Sequence, residues 1–99
     1  MKEVTLIVPA YNEEDRIKRA ASRMLGSRYL AQECRFLFIV DGDDGTYGIL
    51  EGLEKKHPKA EIELKKYPKR LGKGGAVAEG IKAAGTEYAG FLDVDIPSQ

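Results

Sequence analysis

Four short apolar runs alternate with three helical patterns along the 99 residues. Val4 to Val8 is β-branched and continuous, and Pro9 is expected to stop it. Phe36 to Val40 is the second run, Ile62 to Leu64 a weaker third set among charges, and Tyr88 to Leu92 the fourth. Runs that are apolar throughout, without alternation, predict strands covered on both faces, as in a parallel sheet. Between them, Glu13 to about Arg28 carries Ile17, Ala20, Ala21, Met24 and Leu25 at spacings of three and four, a helical stripe. Asn12 reads as its N-cap, and Glu13, Glu14 and Asp15 suit the positive end of the helix dipole. Thr46 to about Lys56 places Ile49, Leu50 and Leu53 on one face and stops before His57-Pro58. Gly74 to about Ala84 is the third helix, with Val77, Ala78, Ile81 and Ala84 as the expected buried stripe.

The order β-α-β-α-β-α-β predicts right-handed crossovers and an α/β, doubly wound parallel sheet with strand order 3-2-1-4. In such sheets ligands bind beyond the carboxyl ends of the strands, near the switch point, here between strands 1 and 4. The chemically unusual residues should then follow strands 1, 2 and 4, and they do.

Composition narrows the class. The chain is 42 % hydrophobic and 32 % charged, which describes a single soluble domain with one modest core. Sixteen Lys and Arg balance sixteen Asp and Glu, so no net field draws nucleic acid, and no nucleic-acid partner is expected. The single cysteine, Cys34, excludes an internal disulfide framework and a cysteine-based zinc site. No apolar run approaches the roughly 18–20 residues that cross a bilayer, and no signal peptide is read at Met1-Lys2-Glu3. The expected compartment is the cytoplasm.

Four motifs carry candidate chemistry. Val8-Pro9-Ala10-Tyr11-Asn12-Glu13-Glu14 follows strand 1; Tyr11 is suited to stack on a base or ribose and Glu13 to accept a sugar hydroxyl, although the acids also fit a plain helix start. Val40-Asp41-Gly42-Asp43-Asp44-Gly45-Thr46 follows strand 2. Asp41, nearest the strand tip, reads as a ligand contact, and Asp43 and Asp44 as turn and cap residues. The run lacks calcium-hand spacing. Lys69-Arg70-Leu71-Gly72-Lys73-Gly74-Gly75 joins free backbone amides at a helix start with cations, which suits a diphosphate or, alternatively, a solvated loop. It is not a P-loop, since Gly74 stands where Ser or Thr is needed. Phe91-Leu92-Asp93-Val94-Asp95 ends strand 4. Carboxylates two apart on extended chain point the same way, toward a hard cation or simply toward solvent.

Taken in order, the four motifs resemble family 2 glycosyltransferases of the Rossmann-like GT-A fold, and Gly-Lys-Gly-Gly-Ala-Val is most similar to dolichyl- and polyprenyl-phosphate glycosyltransferases. The resemblance implies that residues 1–99 are the nucleotide-sugar-binding N-terminal half of such a domain, truncated after the Asp-x-Asp strand. It implies that Pro9, Ala10, Tyr11 and Glu13 line the nucleoside pocket and that Asp41 contacts the base. Arg70 and Lys73 would lie near the diphosphate or order its loop. Asp93 and Asp95 would be the Asp-x-Asp pair, binding nucleotide and Mg²⁺ or Mn²⁺, with Asp95 the direct metal ligand. The implied reaction is inverting transfer from a UDP- or GDP-linked sugar to an acceptor such as polyprenyl phosphate at a membrane, with the parent protein peripheral to that membrane. The catalytic base is expected outside these residues; His57, the single histidine, reads as a surface residue. One departure stands out: the second motif usually reads Asp-Asp-Gly-Ser, and here Gly42 follows Asp41. The rival readings are an inactive nucleotide-binding module, a haloacid-dehalogenase-like phosphohydrolase and a purely structural module. The phosphohydrolase would need Ser or Thr where Pro97 stands. An uncovered edge on strand 4 predicts self-association.

Overall fold

The computed structural model describes residues 3–42, 44–92 and 94, and for Lys73 the backbone alone. Its elements are β1 (Val4–Tyr11), α1 (Glu14–Gly26), α2 (Arg28–Glu33), β2 (Cys34–Asp41), α3 (Thr46–Lys56), β3 (Ile62–Tyr67), α4 (Gly72–Ala84) and β4 (Tyr88–Phe91). The strands form one parallel sheet in the order β3-β2-β1-β4, as the sequence pattern predicts.

The continuous apolar runs are explained by the two covered faces of β1 and β2. On one face Val8, Ala10, Phe36, Phe38 and Val40 pack with Ile17, Ala21, Met24 and Leu25 of α1 and with Leu50 and Leu53 of α3. On the other, Ile7, Leu37 and Ile39 meet Ala76 of α4, with Tyr67, Leu71 and Ala83 around them. Each fully buried side chain of this size contributes roughly 1.5–3 kcal/mol of burial free energy, so the two central strands dominate stability.

Three expectations are corrected. Pro9 does not stop β1, which runs to Tyr11. The Glu3 and Ile7 carbonyls accept from Tyr88 and Leu92, so the odd positions of β1 turn their backbone toward β4. The last ladder pair with β4 is Ile7 with Phe91. The donor that Pro9 lacks would therefore point past the end of that ladder, where a strand tolerates proline.

The helix expected from Glu13 to Arg28 is two helices. Gly26 closes α1, and Ser27, extended at φ −77° and ψ 115°, caps α2 by accepting from the Leu30 N–H at 3.3 Å. The third correction concerns α4, whose inward stripe is Ala76, Gly80 and Ala84. Ile81 is 55 % exposed, Ala78 is exposed and Val77 only partly covered. The reason is close approach: a methyl at Gly80 would collide with the side chain of fully buried Ile7. Small residues let this helix lie directly on the sheet, whatever its hydropathy pattern suggests.

The amino-terminal edge of the sheet is tied separately. The Ala84 carbonyl at the end of α4 accepts from the Thr5 hydroxyl at 3.2 Å and from Arg35 at 3.0 Å, and Arg35 also pairs with Glu61 and Glu63. Gly85, left-handed at φ 66°, closes the helix.

Candidate functional site

At the carboxyl edge of the sheet, Tyr11, Asp41 and Tyr67 stand in one register row across β1, β2 and β3. Neighbours in such a row lie about 4.8 Å apart, and in-register residues share a face, here that of α4. Asp41 is only 2 % exposed, and its Oδ2 accepts from the Leu71 N–H at 2.5 Å. The preceding residue, Arg70, lays its guanidinium over the Tyr11 ring, 4.3 Å from the centroid. Consecutive residues of the β3–α4 loop thus reach the tips of two strands. Tyr67 donates to the Glu79 carboxylate at 3.2 Å; burial, the Glu79 charge and this bond raise the phenol above its ordinary value. Just beyond Leu71, Gly72 takes φ 74° and opens α4, whose first turn receives no bond from the Leu71 side chain. A helix start of this kind favours an anion.

The loops after β1 and β2 are clasped together. Asp44 accepts from the Thr46 N–H (3.0 Å) and hydroxyl (2.6 Å) and, through its other oxygen, from the Glu14 N–H (3.1 Å). The Thr46 hydroxyl accepts from the Glu13 N–H at 3.0 Å, and the Glu14 carboxylate accepts from the Gly45 N–H at 2.7 Å. The orphan amides at the starts of α1 and α3 are therefore satisfied across the gap between them. The cap position of α3 is Gly45, without a side-chain bond, and Asp44 just before it makes the turn expected of it by bonding the Thr46 amide. Asn12 is not the cap of α1. It adopts φ 48° one residue earlier, and Glu13 takes the cap position without a side-chain bond. Gly42 sits at φ 101°, and a side chain there would run into Asn12 and Tyr11.

The remaining sequence-derived residues fall as follows. Pro9 is partly covered beside Ile39, and Ala10, 2 % exposed, has its methyl in the core and its backbone in the ladder with β2. The Glu13 side chain is 12 % exposed and pairs with Arg16 at 2.8 Å. Arg70, at the Gly-rich turn, lies over the Tyr11 ring. The Lys73 side chain, Asp43, Asp93 and Asp95 lie outside the described residues. The residues beside the Asp-x-Asp positions are anchored: the Leu92 N–H bonds the Ile7 carbonyl at 3.0 Å, and Val94 is buried in the core. Among the described residues no group of three or more His, Cys, Asp or Glu forms a metal cage. Sequence reasoning missed the cross-loop clasp and the Leu71 amide on Asp41. The clasp had a signal in Asp44-Gly45-Thr46, a capping pattern at a helix start; the amide contact had none.

The chain and its fold are similar to several known proteins. The chain is 31 % identical over 102 residues to dolichyl-phosphate β-glucosyltransferase of Drosophila melanogaster, covering 94 % of this chain and 31 % of that protein. The structure superposes on the mannosyltransferase PcManGT from Pyrobaculum calidifontis in complex with GDP-Man and Mn²⁺, with a TM-score of 0.85 at 26 % identity, covering 94 % of this chain and 27 % of that one. It also matches Staphylococcus aureus TarS 1-349 in complex with UDP-GlcNAc, with a TM-score of 0.77 at 26 % identity, covering 96 % of this chain and 27 % of that one. The chain spans under a third of the length of these proteins. Residues 5–96 match the family described as glycosyl transferase family 2, and the chain belongs to that family.

Proposed function

We propose that the carboxyl rim of this sheet holds a UDP- or GDP-linked sugar, and that the parent protein transfers the sugar to an acceptor such as polyprenyl phosphate. The observation that carries this is the row of Tyr11 and Asp41 facing the Arg70–Leu71 turn at the start of α4. Tyr11 offers a ring for the nucleoside, with Pro9, Ala10 and Glu13 beside it. Asp41 offers a carboxylate for base N–H groups. The first turn of α4, with Arg70 and Lys73, offers amides and cations to the diphosphate. Asp93 and Asp95 would hold Mg²⁺ or Mn²⁺, a donor set that hard cations complete with phosphate oxygens and water. When bound, the ion offsets charge growing on the departing diphosphate. The acceptor oxygen attacks the anomeric carbon, the bond to the diphosphate breaks, and configuration inverts.

The relative's name carries dolichyl phosphate, which supports a membrane-borne acceptor and a membrane-peripheral location for the parent of this chain. No helix among the described residues is long and apolar enough to cross a membrane. The outer edge of β4 is proposed as a self-association surface. Family membership leaves the phosphohydrolase reading without support.

The test is thermal unfolding with UDP and GDP, each with and without Mn²⁺. Ligand at a hundred times its dissociation constant adds about 2.7 kcal/mol. For a domain this size that is a rise of roughly 10–20 °C. Asp95→Ala should remove the Mn²⁺-dependent part alone. Absence of any nucleotide-dependent rise would refute the proposal. Nucleotide binding with no transfer to polyprenyl phosphate, in a full-length parent, would leave an inactive binding module.

A further inference from the structure

The ring that the donor reading gives to the base already has an occupant. Tyr11 is half-buried at the end of β1, and one edge of its ring lies close against Gly42. The Arg70 guanidinium covers a face of the ring, 4.3 Å from the centroid, in a cation–π contact. A base stacked on that face would need the volume the guanidinium fills. Arg70 is exposed and forms no ion pair with any other described residue, so its N–H donors are not committed to a carboxylate there. The backbone next to it is held. The Leu71 N–H donates to Asp41 Oδ2 at 2.5 Å, Asp41 is buried, and Gly72 opens α4 one residue later. Arg70 thus stands on a tethered turn, and its side chain can leave the ring while the turn keeps its bond to Asp41.

Two ligands meet this arrangement differently. A bare nucleoside stacking on that face of Tyr11 displaces the guanidinium and gives it nothing in return. A nucleoside diphosphate displaces it as well, but brings phosphates to the start of α4, beside Arg70 in the chain, where a guanidinium can pair with them bidentately. We propose that Arg70 exchanges the face of Tyr11 for the diphosphate, and so makes the rim select phosphorylated nucleotides over nucleosides. The inference rests on the donor-site reading and deepens it. Arg70 opposes the base and favours the phosphates, and the two effects have opposite signs in binding. A guanidinium that stayed in place, with the base slipped between it and the ring, would favour both. Nucleosides and their diphosphates therefore separate the two arrangements.

The experiment is titration of the 99-residue chain and of its Arg70→Ala variant with uridine, guanosine, UDP and GDP, followed by NMR. Metal is left out, so that the ion contributes nothing to the comparison. The replacement is at an exposed loop position, and the melting temperature without ligand checks that the variant is folded. An exposed cation–π contact resists displacement by about two- to fivefold, so the variant should bind the nucleoside that much more tightly than wild type. It should bind the matching diphosphate about tenfold more weakly, because charge-assisted hydrogen bonds to phosphate are lost. That reversal of sign is the expected result. Nucleoside binding that is unchanged or weaker in the variant overturns the exchange, since the base would then stack elsewhere or beneath the guanidinium. Diphosphate binding as tight in the variant as in wild type also overturns it, since the displaced cation would have no new partner. If neither UDP nor GDP binds the wild-type chain, with or without Mn²⁺, the donor-site reading itself falls, and the exchange with it.

Discussion

Asp44→Ala tests whether the clasp between α1 and α3 supports the donor rim. The carboxylate accepts from the Glu14 amide, the Thr46 amide and the Thr46 hydroxyl, so one side chain bonds the first amides of two helices. Loss of a capping residue costs about 1 kcal/mol per helix, within a range of roughly 0.5–2, and two helices make about 2 kcal/mol. For about 100 residues each kcal/mol moves the midpoint by roughly 4–8 °C, so the variant should melt about 8–16 °C lower at pH 7. The pH dependence follows from the state of the carboxyl. Burial raises its pKa, but the hydrogen bonds from Thr46 and Glu14 outweigh burial, and the folded value lies below the ordinary one. A depressed carboxyl contributes stability that is fully present above the unfolded pKa, about 3.9, and is lost as pH falls through the folded value. The gap between wild type and variant should therefore be constant from pH 6 to 8 and close at acid pH. Asp44→Asn keeps an accepting oxygen without charge and should fall between the two. Because the clasp joins the loops behind Tyr11 and Asp41, nucleotide affinity should drop along with stability. Thermal and urea unfolding across pH, with UDP and GDP titrations at a temperature where both proteins are folded, measure all of this. A midpoint drop under about 3 °C, or a gap that widens toward low pH, would refute the reasoning.

Two further outcomes can be measured directly. Gly80→Ala gains up to about 1 kcal/mol of helix propensity but forces a methyl into Ile7, an overpacking cost of about 1–3 kcal/mol. The variant should be net destabilised in urea unfolding, and the same change in an Ile7→Ala background should turn neutral or favourable; a more stable single variant would show that α4 does not lie against Ile7. At the β4 edge, the Tyr88 and Leu92 amides turn inward to β1, which leaves the Ala89 and Phe91 backbone groups facing outward. The Tyr-Ala-Gly-Phe strand carries no charge, and Tyr88 and Phe91 are 59 % and 49 % exposed. Light scattering should show concentration-dependent association that Phe91→Lys abolishes, and a strictly monomeric wild type at high concentration would contradict it.

How far the sequence could be read depended on whether a feature was local in the chain. The parallel core was legible because β1 and β2 are buried on both faces, and burial on both faces leaves an unbroken apolar run that survives without knowledge of partners. The meeting of Tyr11, Asp41 and the Arg70–Leu71 turn at one edge was legible for a related reason. Acids, an aromatic residue and a glycine-rich basic turn each follow a strand end, and topology alone gathers strand ends. What could not be read was set by contacts between distant segments. The inward face of α4 is set by close approach at Gly80 between buried Ala76 and Ala84, so the expected stripe of Val77, Ala78, Ile81 and Ala84 holds only at Ala84. The cap of α1 is supplied by Asp44 and Thr46 from another loop, so the nearest capping residue, Asn12, looked sufficient. Gly42 shows both limits at once. A single acid precedes the glycine where the family usually has two, which leaves the second family acid to Asp43 or to no residue, and the loop holds Gly42 at φ 101° against Asn12. The backbone geometry that joins the two loops therefore excludes a side chain there, and Asp41, held by the Leu71 amide, is the described acid of that motif left facing the row with Tyr11.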